Sequence, residues 1–436
     1  MKSFPFEQYI GIDNFLTNQP GIGGTLRHNV KDFIVNEVFL YPKQDDTGCF
    51  VIAEITAMNW ETHRLVKSLA KQLHISQKRI GFAGTKDKRA LSTQLMSFDH
   101  VSEEDIKRIH LKDVEVTKIY RSSKSVRLGD LIGNHFTITI RNISNSIEPS
   151  QIESVEKCLE KNQGFPNFFG IQRFGAVRPI THIVGRDIVL GNFKSAVLTY
   201  IANPIKGEDE AIYNLRKKLD MSHDYSEALQ VYPNILNYEK AMLNHLVRFP
   251  DDFVGALQSL PKNLLLMFIN AYQSHLFNKI VSMRIKKDIP LYEAGIGDII
   301  IPLRSGASSN LYIEVTPSNI DKINKQISRK KAMVTGLLVG NQPLYSKGIM
   351  GEIEHKIIEE EDVKTQEFII PKIPFLSSKG SRRSILGSIN NMKWMMQKDT
   401  MIKNKKMVTF DFDLSKGCYA TSLLREFMKS SNPKDY

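Results

Sequence analysis

A single carboxylate set among cations is the feature of this sequence that could do chemistry most directly. Asp87 follows Lys86 and precedes Lys88 and Arg89 in the stretch GFAGTKDKRALSTQ. Neighbouring cations favour the ionised form of a carboxyl group, so we expect a low pKa for Asp87. Such a carboxylate is a poor general acid at neutral pH, but it can act as a nucleophile or as an ion-pair partner. A basic hairpin loop with one salt-bridged aspartate is the commoner interpretation of such a stretch.

Two strand-like segments flank this carboxylate. Ile80 and Phe82 lead into Gly84, and the residues from Leu91 to Leu95 alternate between apolar and polar types. The pattern predicts two strands with Asp87 on the loop between them. Gly84 permits a tight turn or a close backbone approach. A phosphate-binding loop is excluded. That motif requires a serine or threonine directly after its lysine, and here Asp87 follows Lys86.

The overall composition narrows the class of partner and the number of domains. The chain has 436 residues, 42% of them hydrophobic, which is enough for more than one ordinary domain. Lysine and arginine number 59 against 47 acidic residues, for a net charge of +12. A balance this basic favours a polyanionic partner, either nucleic acid or an anionic membrane surface.

Neither a cofactor nor a secreted location is indicated by the sequence. The three cysteines, Cys49, Cys158 and Cys418, are far apart and form no disulfide framework or zinc-ligand spacing. Gly21 to Gly24 lacks the dinucleotide-binding spacing. The N-terminus has no apolar signal segment, and the most apolar run, 263–283, carries polar residues typical of a buried helix. We therefore expect a cytoplasmic protein in a reducing compartment, with no metal and no membrane partner.

Strands bracket a helical middle in the predicted secondary structure. Asn59 is the predicted N-cap of one helix and Ser150 that of another. The predicted strands are 33–38, 49–57, 78–98 (a hairpin), 113–121, 133–141, 299–303, 311–315 and 407–412; the predicted helices are 60–73, 150–161, several within 192–287, 352–364 and 417–428. This order predicts one mixed α+β domain made from both ends of the chain, with a second domain inserted.

Further stretches combine basic, aromatic and glycine residues. The connector with Arg121, Lys124 and Arg127 fits either a solvated loop or a rim that faces phosphates. Phe136 lies on an apolar strand face that core packing alone would explain. Arg173 follows two phenylalanines in a glycine-bracketed stretch that fits base stacking or an aromatic core. A second basic cluster surrounds Gly380.

Taken together, these stretches resemble the TruD family of tRNA pseudouridine synthases. The length and the long helical insertion look like the archaeal branch of that family. The matching stretches are GTKDK (84–88) continuing to Gln94, GNHF (133–136), NFFGIQRFG (167–175), AYQSHLFN (271–278) and YATSLLRE (419–426). Each is a weak motif alone, but five in this order are specific.

The resemblance implies an isomerase that converts uridine to pseudouridine in tRNA, at uridine-13 of the D arm. It implies no cofactor, no metal and a monomer. Asp87 aligns with the family's catalytic aspartate, whose proposed roles are attack on C1′, attack on C6, or proton abstraction from C2′. The implied fold is a mixed, mainly antiparallel sheet flanked by helices, the pseudouridine synthase fold, formed by 1–163 and 381–436. An α+β TRUD domain, 164–380, is inserted into it.

The resemblance also assigns residues that would bind RNA. Arg27 stands where the family carries a basic residue, a lysine in some members, and we expect it to pair with Asp87 and orient it. Phe136 matches the aromatic that stacks on the target base, Asn134 would contact the uracil edge or the loop backbone, and Lys86 would contact the substrate beside them. The residues expected to contact RNA elsewhere, mostly phosphates along a cleft between the two domains, are Arg121, Lys124, Arg127, Arg173, Arg382 and Arg383.

Three other functions fit part of the sequence. A catalytically silent tRNA-binding protein on the same scaffold is the main alternative, although Asp87, Phe136 and Arg27 are all present. A methyltransferase would need a glycine-rich nucleotide-binding turn, which the sequence lacks. A membrane-surface protein would need a basic amphipathic helix, and none dominates.

Overall fold

The computed structural model describes residues 1–86, 88–304, 307–308 and 311–436. Contacts within the chain divide it into two compact units, which we name the sheet unit and the helical unit. The sheet unit contains Gln19–Phe165 and Gly387–Tyr436; the helical unit contains Met1–Asn18, Pro166–Leu303 and residues 311–386.

Most strands belong to the first third and the last tenth of the chain. The strands are β1 (Phe33–Phe39), β2 (Phe50–Met58), β3 (Ile80–Phe82), β4 (Leu91–Asp99), β5 (Val114–Ser122), β6 (Leu131–Ile143), β7 (Phe165–Pro166), β8 (Ile299–Arg304), β9 (Ala307–Ser308), β10 (Ile313–Glu314), β11 (Ala332–Leu338), β12 (Ser381–Ser384), β13 (Leu386–Gly387), β14 (Ile389–Lys398) and β15 (Lys406–Ser415).

Helices dominate the middle of the chain. They are α1 (Pro5–Gln8), α2 (Thr62–Gln72), α3 (Glu103–Lys107), α4 (Pro149–Lys161), α5 (Thr181–Val189), α6 (Phe193–Ile201), α7 (Glu210–Ser222), α8 (Tyr225–Val231), α9 (Asn237–Arg248), α10 (Phe253–Gln258), α11 (Lys262–Lys286), α12 (Ile320–Ser328), α13 (Gly348–Glu360) and α14 (Ala420–Met428). Short 3₁₀ helices cover Val30–Asp32, Gln77–Arg79, Ile171–Arg173, Thr365–Phe368, Pro374–Leu376 and Pro433–Asp435.

One large sheet forms the centre of the sheet unit. Its strand order is β14-β15-β6-β1-β4-β2-β5, with β3 beside β4. The β1–β4 pair is parallel, and the other pairs are antiparallel. Strands from both ends of the chain therefore meet at β6, which lies between β1 and β15. The predicted mixed α+β fold with a mainly antiparallel sheet is confirmed.

Helices cover one face of this sheet because alternate strand residues are apolar. Leu65 and Leu69 of α2 pack in one apolar cluster with Ile55 of β2. At the other end of the sheet, the ring of Phe427 in α14 lies 4.8 Å from the ring of Phe410 in β15. The period-two pattern of the strands and the i, i+4 pattern of the helices thus bury the same face.

Two helix starts differ from their predicted positions. The N-cap of α2 is Glu61, whose carboxylate accepts hydrogen bonds from the backbone N–H groups of His63 (2.9 Å) and Arg64 (3.0 Å), and not Asn59. The α4 helix begins at Pro149, which has no N–H to leave unsatisfied, so its N-cap is Glu148 and not Ser150.

The helical unit is built around α11. This helix is buried over most of its length, as predicted for the apolar run at 263–283. One of its buried polar side chains, that of Asn278, donates to the carbonyls of Ile10 and Phe169, each at 3.0 Å. A small sheet, β10-β8-β11-β12, packs in the same unit. In the described ranges, no helix has both the length and the apolar character needed to cross a membrane.

The division into units differs from the predicted domain boundaries at the N-terminus. Met1–Asn18 belongs with the helical unit, whereas the prediction joined residues 1–163 in one domain. The reason is apolar packing, since Ile10 and Ile12 are buried in one cluster with Phe277 of α11. The second crossing between the units falls at Leu386, a few residues after the predicted boundary at 380.

A buried carboxylate and two basic side chains join α11 to the residue that follows α13. Lys279 Nζ lies 2.7 Å from Glu361 Oε1, and His275 Nε2 lies 3.5 Å from the same oxygen. Burial acts to raise the pKa of Glu361, but the hydrogen bonds from His275 and Lys279 outweigh it and hold this pKa at about 2. The ring of His182 stacks on His275 at 4.8 Å, and burial together with the His275 charge lowers the pKa of His182 to about 3.

The shift at Glu361 predicts an acid-sensitive contribution to stability that Glu361→Gln should remove. Because the pKa of Glu361 is depressed on folding, its ion pairs stabilise the protein above its ordinary pKa and lose that effect as the pH falls towards about 2. Glu361→Gln should lower the free energy of unfolding by about 2 kcal/mol near pH 7, after allowance for solvent screening. Denaturant unfolding from pH 7 to pH 2.5 should show the two proteins converging. A gap that stays constant over this range would contradict the assignment.

Candidate active site

The predicted hairpin is present, and we name the connection between its strands, residues 83–90, the chemical loop. Strands β3 and β4 pair antiparallel, with Ile80 opposite Phe98 and Phe82 opposite Met96. Asp87, the predicted catalytic residue, belongs to the connection between them and lies outside the described residues. Lys86 and Arg89, two described residues on either side of Asp87, make the contacts that hold the connection in place.

The glycine that this hairpin requires is Gly81 and not Gly84. A Cβ at Gly81 would lie 2.2 Å from the carbonyl oxygen of Val126, so no side chain fits there. A Cβ at Gly84 would meet Glu37 Oε1 at 3.5 Å, which is an ordinary contact. The backbone N–H of Gly129 also donates to the carbonyl of Ala83 at 2.8 Å. The close backbone approach therefore occurs three residues earlier than expected, against the β5–β6 connection.

A buried ion pair anchors the start of the loop. Lys86 Nζ lies 2.8 Å from Glu37 Oε1 and donates to Asn134 Oδ1 at 2.7 Å. The Lys86 and Glu37 side chains are 6% and 0% exposed. The Lys86 backbone N–H donates to Thr62 Oγ1, the first residue of α2, at 2.8 Å. Strands β1 and β6 and helix α2 thus fix the residue directly before Asp87.

Glu37 was not singled out from the sequence, although a signal for it existed. It continues the buried alternation of Phe33 and Val35 on β1, so a charged residue stands where an apolar one is expected. Burial raises the pKa of Glu37, and the Lys86 ammonium opposes that effect. Glu37 Oε2 also accepts the backbone N–H of Leu95 at 3.2 Å, which ties β1 to β4.

Arg27 and Phe136 belong to one packed group of side chains. The Arg27 guanidinium carbon lies 4.1 Å from the centre of the Phe33 ring, a cation–π contact. Phe33 meets Phe136 edge-on with ring centres 6.3 Å apart, and Phe136 stacks on Phe412 at 5.5 Å. Phe136 is 7% exposed, so core packing accounts for much of its environment.

Arg27 has a backbone conformation that is uncommon for a residue with a side chain. Its φ is 56°, in the left-handed region, and the residue is buried. Its carbonyl accepts a hydrogen bond from the Arg89 guanidinium at 2.9 Å. This bond connects the segment before β1 to the residues that follow Asp87, so Arg27 and the far side of the loop are held together.

The basic connector between β5 and β6 lies beside the same hairpin. Lys124 and Arg127 are exposed, and within the described chain neither forms an ion pair. Arg121 is partly engaged, because it donates to the carbonyl of Gly48 at 3.0 Å. Gly129 of this connector bonds Ala83, as described above, so the predicted basic residues and the chemical loop are neighbours.

Arg173 and Arg383 lie in the helical unit, where both contact one aromatic ring. The guanidinium carbons lie 5.5 Å and 4.1 Å from the centre of the Phe169 ring. Arg383 also donates to Asn167 Oδ1 at 2.9 Å, and Arg173 donates to Ser274 Oγ at 3.3 Å. Both arginines are half-buried, and the structure gives each a packing role in this unit.

The prediction that Arg382 contacts RNA phosphates is not supported, because its side chain is buried. Arg382 and Glu354 are both 0% exposed and are joined by a hydrogen bond of 2.7 Å. The guanidinium also donates to Thr335 Oγ1 at 2.7 Å and to the carbonyl of Leu344 at 2.7 Å. A guanidinium used in this way holds β12 and α13 together and is withdrawn from phosphate.

No group of three or more histidine, cysteine, aspartate or glutamate side chains is arranged to hold a metal ion among the residues that the structure describes.

We predict that Lys86→Met destabilises the protein by about 3 kcal/mol, because it leaves the Glu37 carboxylate buried without its cation. The double variant Lys86→Met/Glu37→Gln should recover part of this loss, since the buried charge is then absent. Denaturant unfolding of the four proteins gives the coupling energy directly. If Lys86→Met changes the free energy of unfolding by less than about 0.5 kcal/mol, the pair does not anchor the loop.

Arg382→Met should also destabilise the protein by about 3 kcal/mol, because it leaves Glu354 buried and uncompensated. Lys124→Met removes the same charge from an exposed site and serves as the matched control, with a change below about 0.5 kcal/mol. Equal unfolding midpoints for the two variants would show that Arg382 is not part of the core.

The chain was compared with known proteins. The family model for tRNA pseudouridine synthase D (TruD) matches residues 9–427. A Methanococcoides burtonii protein named tRNA pseudouridine synthase D is 44% identical over 429 residues, covering 97% of each chain. A Pyrococcus furiosus protein of the same name is 37% identical, covering 97% of this chain and 99% of its own.

A solved structure agrees with these relatives. The crystal structure of a Methanosarcina mazei protein that carries the name tRNA pseudouridine synthase D superimposes with a TM-score of 0.87, at 41% identity and with all of both chains covered. The predicted resemblance and fold are thus confirmed, and this chain belongs to the TruD family of tRNA pseudouridine synthases.

Proposed function

We propose that this protein isomerises uridine to pseudouridine in tRNA, at uridine-13 of the D arm, with Asp87 as the catalytic residue and without a cofactor or metal ion. Family membership over residues 9–427 supports the reaction class. The observation that carries the site assignment is the Lys86–Glu37–Asn134 anchor, which fixes the residue directly before Asp87 between two paired strands.

The reaction breaks the C1′–N1 glycosidic bond, turns the uracil, and joins C1′ to C5. The hydrogen on C5 is lost and N1 becomes protonated, so no atom is gained or lost overall and no redox partner is required. Asp87 would attack C1′, attack C6 or remove the C2′ proton. Each role needs an ionised carboxylate, which the cations Lys88 and Arg89 favour.

The neighbouring side chains would orient the aspartate and the base. We assign to Arg27 an ion pair with Asp87, supported by its position beside Arg89 and its constrained backbone. We assign to Phe136 the stacking contact with the flipped base, on the side of the ring away from Phe412. Asn134 would contact the uracil edge, and Lys86 would support that contact through Asn134 Oδ1.

The sheet unit would be the catalytic pseudouridine synthase domain, and the helical unit would contain the inserted TRUD domain. Lys124 and Arg127 are suited to phosphate contacts, because they are exposed and lie on a connector that touches the chemical loop. Arg121, Arg173 and Arg383 would have to combine such contacts with their packing roles. We also propose a monomer that acts in the cytoplasm.

Pseudouridine formation in tRNA transcripts tests the proposal, with wild type and Asp87→Asn compared without added cofactor. Asparagine retains the size of the side chain and removes the charge, so the rate should fall by about 10³-fold or more. Binding of tRNA should persist. Asp46→Asn, at an exposed position of the same unit, is the matched control and should be fully active.

A transcript with cytidine at position 13 tests the target separately and should yield no product. Full activity of Asp87→Asn would contradict the catalytic assignment. Binding of tRNA by the wild type without any product would favour the alternative, a catalytically silent tRNA-binding protein. Product at another uridine would leave the reaction intact and overturn the choice of position 13.

A further inference from the structure

A lysine-rich hairpin forms the edge of the large sheet. We define the basic hairpin as residues 389–406, that is β14, the turn after it and the first residue of β15. It contains a single carboxylate, Asp399, and five lysines: Lys393, Lys398, Lys403, Lys405 and Lys406. Neither the catalytic loop nor the residues proposed to bind RNA include any part of it.

The one carboxylate of the hairpin is turned inward. The Asp399 side chain is 0% exposed and lies 2.9 Å from Arg141 Nη1. It also accepts the backbone N–H groups of Met401 (2.9 Å) and Ile402 (3.2 Å). Asp399 therefore shapes the turn and shares Arg141 with Asp32, and its carboxylate forms no ion pair with the lysines of the hairpin.

Four of the five lysines have no carboxylate partner among the described residues. Lys406 lies 3.3 Å from Glu148, but Lys393, Lys398, Lys403 and Lys405 form no ion pair in that part of the chain. Lys393, Lys398 and Lys403 are exposed, and Lys405 is half-exposed. Uncompensated cations on one rigid segment attract a polyanion, and lysine suits phosphate in particular.

Apolar side chains stand between these lysines. Met395 and Met401 are 58% and 53% exposed. On the opposite face of β14, Trp394 Nε1 donates to Glu156 Oε2 of α4 at 2.9 Å, which fixes the strand against the unit. Lys393 and Met395 share the face of β14 opposite to Trp394, whereas Lys398, Met401 and Lys403 lie at its turn end, which offers a ligand both charge and apolar area.

The turn of the hairpin, residues 398–406, lies far from the proposed catalytic residues, although β14 begins level with them. Asn134 of β6 pairs with Leu414 of β15, which pairs with Ile389 of β14, whereas Ile143 pairs with Lys406 at the turn. The nine residues from Asn134 to Ile143 span about 30 Å at the usual rise of a strand. A single nucleotide cannot extend over this distance, but a folded RNA can.

We propose that the turn of the basic hairpin is a second RNA-binding surface, which holds the phosphate backbone of the tRNA about 30 Å from the target uridine. The inference rests on the proposed function only in that tRNA is the substrate. Lys398, Lys403 and Lys405 contact phosphates, and Met401 contacts a sugar or an unstacked base. The surface contributes affinity and register, and it makes no contact with the reacting uridine.

Edge protection is a structural alternative for the same lysines. Sheets often carry lysine on an edge strand, where it prevents pairing with a second copy of the chain, and β14 is an edge strand. That role predicts self-association when the lysines are removed, but no change in RNA binding. An anionic membrane surface is a second alternative, because lysines and exposed methionines also suit lipid headgroups.

The test is the salt dependence of tRNA binding by the triple variant Lys398→Ala/Lys403→Ala/Lys405→Ala. Each lost phosphate contact should lower the slope of log affinity against log salt by about 1, so the magnitude of the slope should fall by about 3. Affinity for a short single-stranded RNA that carries the target uridine should not fall, because that RNA cannot reach from the site to the turn of the hairpin.

A matched control removes three exposed lysines from the helical unit, Lys206, Lys217 and Lys287. This variant should keep the wild-type slope. An equal loss in the control would overturn the proposal, because net charge alone would then explain it. An unchanged slope in the hairpin variant would also overturn it, in favour of edge protection if the variant self-associates.

Binding is measured without turnover, so the two proposals can fail separately. A reduced slope in the hairpin variant, with no pseudouridine from the wild type, supports the surface and overturns the proposed isomerisation. Wild-type binding to phosphatidylserine vesicles that the hairpin variant loses, with tRNA binding unchanged in both, overturns the RNA surface in favour of the membrane.

Discussion

A charge that is taken out of water must find a partner, and this constraint governs both units of the protein. Lys86 meets Glu37 beneath the chemical loop, and Arg382 meets Glu354 in the helical unit. Arg284 of α11 likewise makes two bonds to Asp298, of 2.9 and 3.0 Å. Each pair joins segments that are distant in sequence, so removing one partner leaves a buried charge that the fold cannot neutralise.

The same constraint sorts the basic residues of the chain into two kinds. Some, such as Arg382 and Arg284, are consumed by internal carboxylates and hold elements together. Others, such as Lys124 and Lys403, remain at the surface and form no ion pair in the part of the chain that is described. The net charge of +12 suggests a polyanionic partner, and only basic residues of the second kind are available to bind it.

Local patterns in the sequence were sufficient for the elements but not for their long-range contacts. The hairpin around Asp87 and the long buried helix followed from periodicity and turn residues. The start of α2 was misplaced because a glutamate, Glu61, caps it where Asn59 has the stronger capping preference. Caps depend on the geometry of a few atoms, which residue type indicates only weakly.

The site itself was predictable in part. The motif residues Lys86, Asn134 and Phe136 could be named in advance, and the first two are in direct contact. Glu37 was missed, because its role depends on an ion pair with Lys86, which lies 49 positions later in the sequence. Arg382 was predicted to be exposed because its partner could not be identified from the sequence. That partner, Glu354, lies in an acidic helix whose sequence is typical of a solvated surface.

The pairing of β6 with β15 has a consequence for how the chain folds during its synthesis. His135 and Asp413, which bond across this pair, are separated by 278 positions, and most of the helical unit is encoded between them. At ordinary rates of synthesis, β6 waits on the order of half a minute for its neighbour. During that time its edge is open and the apolar side chains Ile138 and Ile140 lack β15 beside them. The nascent chain is therefore most prone to misassembly during the interval in which the large sheet still lacks β15.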